Sequence, residues 1–133
     1  MDKQQLLPKK IIEFSKEAQE DFALDELNIR EKTLECATLK VKWLHKLFTE
    51  QAILRTAEER IEIRRQHIVD GGNANVPVFQ RELDASRRDD IVESYAKIAD
   101  QREVIRFVEG VLKIASGFNF ELKSAIDYIK LSE

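Results

Sequence analysis

The chain has very little of what cross-links or interrupts a fold: its 133 residues include one cysteine, two prolines and four glycines. With Cys36 alone no internal disulfide can form, and a metal site would have to be assembled from His45, His67 and carboxylates. Neither histidine belongs to an HxxxH pair, so no metal site is read from the sequence. No apolar stretch approaches the roughly 18 to 20 residues that span a bilayer, and the N-terminus lacks the apolar core of a secretory signal. The expectation is a cytoplasmic protein with no membrane contact. The groupings that catalysis requires are missing too, with no recognisable nucleophile and base or pair of acids. Gly71 and Gly72 are followed by Asn73, where a phosphate loop would continue with lysine, and read as a helix stop and hinge. The chain is therefore read as a non-enzyme that needs no cofactor.

What is abundant points to helix. Ala, Leu, Ile, Glu, Lys and Arg dominate, and charged residues make up 35% of the chain with a net charge of −3, so both signs share the surface. The length suits a single domain with one modest core. Residues 9–20 bring Ile11, Ile12, Phe14 and Ala18 near one face, a helix too short to stand alone. Residues 21–35 carry Phe22, Leu24, Leu27, Ile29 and Leu34 at mixed spacings and read as an irregular connector, which completes an N-terminal segment over 9–36. Residues 37–70 contain neither glycine nor proline and read as one long basic helix, stopped by Gly71. Leu47, Leu54, Ile61 and Ile68 recur every seven residues, but their companions Gln51, Glu58 and Arg65 are polar, which makes half of a heptad seam.

Residues 71–90 lose helical periodicity and read as a second connector. In the remainder, 91–133, Asp89 or Asp90 can cap an amphipathic helix through Ile91, Tyr95, Ile98, Ile105, Val108, Leu112 and Ala115 to Ser116. Gly117 is read as its end, and Asn119 as the cap of a final short helix with Leu122, Ala125, Ile126 and Ile129 inward. The sum is an all-α fold of two long antiparallel helices with short N- and C-terminal helices packed against them. Val104, Phe107, Val111, Phe118, Phe120 and Tyr128 are left over once each stripe has a facing helix, which calls for a homo-oligomer. Its seam is placed on the C-terminal helices, at Ile98, Ile105, Val108, Leu112, Phe118, Phe120, Leu122 and Ile126.

Basic character collects on the long helix, where residues 37–70 hold seven Lys and Arg against five Asp and Glu. Lys42, Lys46, Arg60, Arg64, Arg65 and His67, with Arg81, Arg87 and Arg88 of the connector, can track a phosphate backbone. Glu58, Glu59 and Glu62 interleave with these arginines, which is equally the pattern of a solvated, self-paired helix face. Copies arranged around one rim would add their modest charges. Two classes stay open on the residues alone: an oligomer that binds nucleic acid, and a helical adaptor or structural protein that pairs its heptads with a partner helix.

Three blocks carry a resemblance. They are FALD, from Phe22 to Asp25; VKWLHK, from Val41 to Lys46; and the run from Ile91 to Leu131, with Gly117, Phe118, Phe120, Leu122, Lys123, Ile126 and Asp127 in a small, aromatic, aliphatic-lysine, isoleucine-acid order. In order and spacing the chain, from about Ile11 onward, resembles the UvsY-like recombination mediators of T-even and other large phages. The resemblance implies a helical protein that forms ring-like oligomers of six or seven copies and binds single-stranded DNA. It implies loading of a phage recombinase onto strands coated by single-strand binding protein, in recombination, repair and replication within the host cytoplasm. The basic motif of that family, LKAR, falls on Ile63, Arg64, Arg65 and Gln66, so Arg64 keeps a cation while Gln66 stands where arginine is expected. The displaced charge at Arg65 lies about 100° around the helix.

Overall fold

The computed structural model describes residues 7–23 and 28–132, and every regular element among them is a helix. These are α1 (Lys9–Asp21), α2 (Ile29–Asp70), α3 (Val78–Ser86) and α4 (Asp89–Ser132). With 42 and 44 residues, α2 and α4 are rods of about 63 and 66 Å at roughly 1.5 Å per residue. They lie antiparallel, joined at one end through α3, with α1 against them.

Three apolar clusters follow one another along the hairpin. At the far end Ile29, Cys36 and Leu39 of α2 meet Phe118 and Leu122 of α4. In the middle Trp43 meets Val108 and Val111, and near the α3 end Ile61 meets Ile91 and Ile98. The seven-residue series is the inward face of α2: Leu47 packs into the middle cluster, and Leu54 and Ile68 pack against the cluster of Ile61, Ile91 and Ile98. The half seam is thus completed by the chain's own α4.

Several boundaries differ from the sequence reading. The long helix begins at Ile29, inside the expected connector, because Ile29 and Cys36 reach the α4 face while Leu34, at 85% exposure, points away from it. Leu24 and Leu27, with the end of the FALD block, lie outside the described residues. Gly117 does not end a helix, and α4 runs through it and Asn119 without a break to Ser132. A glycine inside a helix costs only about 1 kcal/mol, and Ala115, Phe118 and Leu122, each about 1% exposed, hold the helix together on either side of it.

The expected 71–90 connector contains α3, which starts directly after Pro77, a position where a missing backbone N–H is harmless. Asp89 and Asp90 occupy the first turn of α4, where acids suit the positive helix end. Gly71 does follow the last residue of α2, its N–H donating to the His67 carbonyl at 3.0 Å.

The expected excess of apolar side chains is also corrected. Val104, Val111 and Phe118 are buried within one chain, whereas Phe120 and Tyr128 are 75% and 72% exposed. Of the residues assigned to the oligomer seam, Ile98, Ile105, Val108, Phe118 and Leu122 are buried against the chain's own helices. Leu112 and Ile126 are partly buried against the middle and far clusters, so Phe120 alone of that set faces outward.

Candidate nucleic-acid interface

The expected cations separate into three places on α2. Lys42 and Lys46 lie under α1: Lys42 Nζ reaches Asp21 at 2.7 Å and Glu17 at 2.8 Å, and Lys46 Nζ reaches Glu17 at 3.2 Å. Lys46 also sits 4.9 Å from the Phe14 ring centroid and 5.5 Å from that of Trp43. The Trp43 indole N–H donates to Asp21 at 2.9 Å, which fixes the α1 end of the cluster. Partial burial pushes the Glu17 carboxyl up, but hydrogen bonds and charge contacts with Lys42 and Lys46 outweigh it and hold the group below the ordinary glutamate value. Burial likewise pushes the Lys42 ammonium down, and Asp21 and Glu17 reverse this and raise it. These two lysines already have anions.

Arg60 and Arg64, one turn apart, are exposed on the other half of the helix, and His67 continues their face. Among the described residues Arg60 has no ion-pair partner, and Arg64 meets Asp90 at 3.5 Å, with both side chains about half exposed. Slight desolvation raises Asp90, and Arg88, the Ile91 amide and Arg64 together hold it below the ordinary aspartate value. An exposed pair of this kind is worth little and is screened by salt.

Arg65 occupies the opposite flank, reaching Glu62 at 3.4 Å and lining a small cleft with Gln66, Val69 and Glu82 of α3. Its Nε is buried without a hydrogen-bond partner, so it belongs to the α2–α3 contact and not to the Arg60 face. Of the connector arginines, Arg81 braces the end of α2, its Nη1 donating to the Val69 carbonyl at 2.9 Å and its Nε to Val76 at 3.1 Å. A Cβ at Gly72 would lie 2.7 Å from Arg81 Cδ, which is why a glycine suits that position. Arg88 pairs with Asp90 at 3.2 Å, and Arg87 is exposed.

One polar cluster escaped the sequence reading. Glu50 is 3% exposed. It accepts from Lys10 Nζ at 2.9 and 3.0 Å and from the Gln101 amide at 2.7 Å, so it ties α1, α2 and α4 together. Its signal was its register, three residues after Leu47 and four before Leu54, on the inward stripe itself. No group of three or more His, Cys, Asp or Glu suited to a metal ion occurs among the described residues, and no described helix is long and apolar enough to cross a membrane.

The arrangement is that of a long α-helical hairpin carrying two short helices, with a cationic stripe on one arm. The same architecture is found in the crystal structure of the bacteriophage T4 recombination mediator protein UvsY, with a TM-score of 0.80 over 92% of this chain and 98% of that one, at 15% sequence identity. No family model and no curated protein sequence matches the chain.

Proposed function

We propose that the chain is a recombination mediator that binds single-stranded DNA and promotes loading of a recombinase onto strands coated by single-strand binding protein, in the cytoplasm of a phage-infected host. One observation carries the reading: a fold shared along nearly the whole length with a recombination mediator leaves Arg60 and Arg64 exposed on one open face. The mechanism requires no hydrolysis. Holding the strand weakens the competing protein's grip by linkage, since a ligand that favours the exchanged state shifts the equilibrium toward it.

Assembly of six or seven copies is part of the proposal, because a single weak stripe gains affinity when repeated. The surfaces available for it are exposed apolar side chains: Leu34, Val41 and Phe48, seven residues apart on α2, and Phe120 and Leu131 on α4. The seam therefore moves outward from the buried residues expected earlier.

The test is oligonucleotide binding across a salt series. Each phosphate contact on single-stranded DNA contributes about −0.7 to the slope of log affinity against log salt. The Arg60→Ala, Arg64→Ala double variant should weaken binding and flatten that slope by up to about 1.4, with helix content unchanged. A full-length protein that ignores oligonucleotide at low salt would overturn the reading in favour of a helical adaptor.

A further inference from the structure

The groove between α2 and α4 is only partly occupied by α1. Running antiparallel to α2, from Lys10 at Glu50 to Asp21 at Lys42, α1 sets Phe14, Ala18 and Phe22 against the middle cluster and covers the groove there. Beyond the Glu50–Gln101 contact none of the described residues of α1 covers the same groove. It becomes a cleft of about 350 Å³ with Ala57, Ile61 and Ile98 as its floor and Arg60, Arg64 and Lys97 on its walls. Lys97 comes from α4, 37 positions along the sequence from Arg60, and no spacing on α2 alone would have found it.

The three cations have little to neutralise them. Arg60 has no ion-pair partner among the described residues. Arg64 is held by Asp90 at 3.5 Å, and Lys97 by Glu93 at 3.8 Å with 77% and 72% of the two side chains exposed. Ser94, the remaining wall residue, is occupied with its own helix, its hydroxyl donating to the Asp90 carbonyl at 2.8 Å. Like charges converging on one cleft repel, and an anion seated between them relieves the repulsion. From Arg60 and Ala57 the cleft continues into a shallow lane past Thr56, Ile53, Ala52 and Thr49, with apolar surface suited to nucleobases beside cations suited to phosphates.

We propose that Lys97 is a phosphate-binding residue and that a nucleic-acid strand crosses the α2–α4 groove between Lys97 and the Arg60–Arg64 pair. This rests on the single-strand-binding reading above and adds a second helix to it. The Asp90 and Glu93 carboxylates mark the acidic edge of the cleft, so the strand enters past Ile53 and not past the start of α4.

The experiment is fluorescence anisotropy of a labelled oligothymidylate with the full-length protein over a salt series. It compares Lys97→Ala, Lys97→Arg, the Arg60→Ala, Arg64→Ala double variant and Lys113→Ala as an exposed α4 control. Lys97→Ala should lower affinity about fivefold near 0.1 M salt and flatten the slope by about 0.7, the share of one phosphate contact. Lys97→Arg should restore both, and Lys113→Ala should match the parent. If the arginine double variant loses affinity while Lys97→Ala does not, the crossing path is wrong and the α2 site stands. An equal loss in Lys113→Ala would overturn it as diffuse charge, and no loss in any variant would overturn the binding site itself.

Discussion

Around Trp43 the groove between α2 and α4 is filled by α1, and around Ile98 no described residue of α1 reaches it, although the same two helices form both halves. In the filled half a fully buried indole is covered by the Phe14 ring edge-on at 5.9 Å and the flanking lysines are neutralised by Glu17 and Asp21. In the other half the flanking cations are Arg60, Arg64 and Lys97, and none of the described helices is laid over them. A basic residue beside an interhelical groove is thus no sign of a ligand site until its intramolecular anions have been found. What separates the halves is an N-terminal helix of 13 residues, none of them fully buried.

The largest break in this contrast should come from Trp43→Ala. Emptying that site should cost about 3 to 5 kcal/mol, read by chemical denaturation, while the oligonucleotide affinity of the folded fraction stays at the parent value. A parallel fall in affinity would show that the two halves are not independent. Gly117→Ala sharpens the picture from the other side. Nothing lies within 4 Å of a Cβ placed there, so the variant should gain about 1 kcal/mol; a loss would mean that the helix is interrupted at Gly117 after all.

The smallest effect is that of pH on α1. Glu17 is lowered from 4.5, so its contribution is complete above that value and is lost as pH falls through the lowered one. Lys42 is raised from 10.5, so its contribution is complete below that value and is lost as pH rises through the raised one. Trp43 emission should therefore shift toward that of an exposed indole at the acid end before α2 and α4 lose helicity. In a Glu17→Gln variant the acid-end shift should be diminished.

Much of the hairpin was legible because its signal is local and repeated. Leu47, Leu54, Ile61 and Ile68 announce one face, and Gly71 its end. What was not legible depends on distant partners. Nothing within residues 21–35 says that Ile29 and Cys36 will meet Phe118 and Leu122, and without that contact the segment has no clean period. Gly117 has the local signature of a helix stop, and the packing that overrides it comes from the other arm.

The candidate site divides in the same way. Arg60 and Arg64 follow from their spacing on one helix, but the neutralisation of Lys42 depends on residues 21 and 25 positions upstream. Lys97 could have been found only by laying the two arms antiparallel and reading across from Ile61 to Ile98, its neighbour in sequence.

Glu50 has a consequence for how the hairpin zips. An inward face that repeats every seven residues looks nearly the same after α4 slides by two turns, and grease alone discriminates poorly between such alignments. The Gln101 amide donates to both the Glu50 carboxylate and the Glu50 carbonyl, and a slide of α4 by seven residues would replace it with Ser94, which has a single donor, or with Val108, which has none, so such slips are penalised. The side chain least suited to a dry interior is thereby the one that sets which rung of α4 meets which rung of α2, and so brings Lys97 level with Arg60.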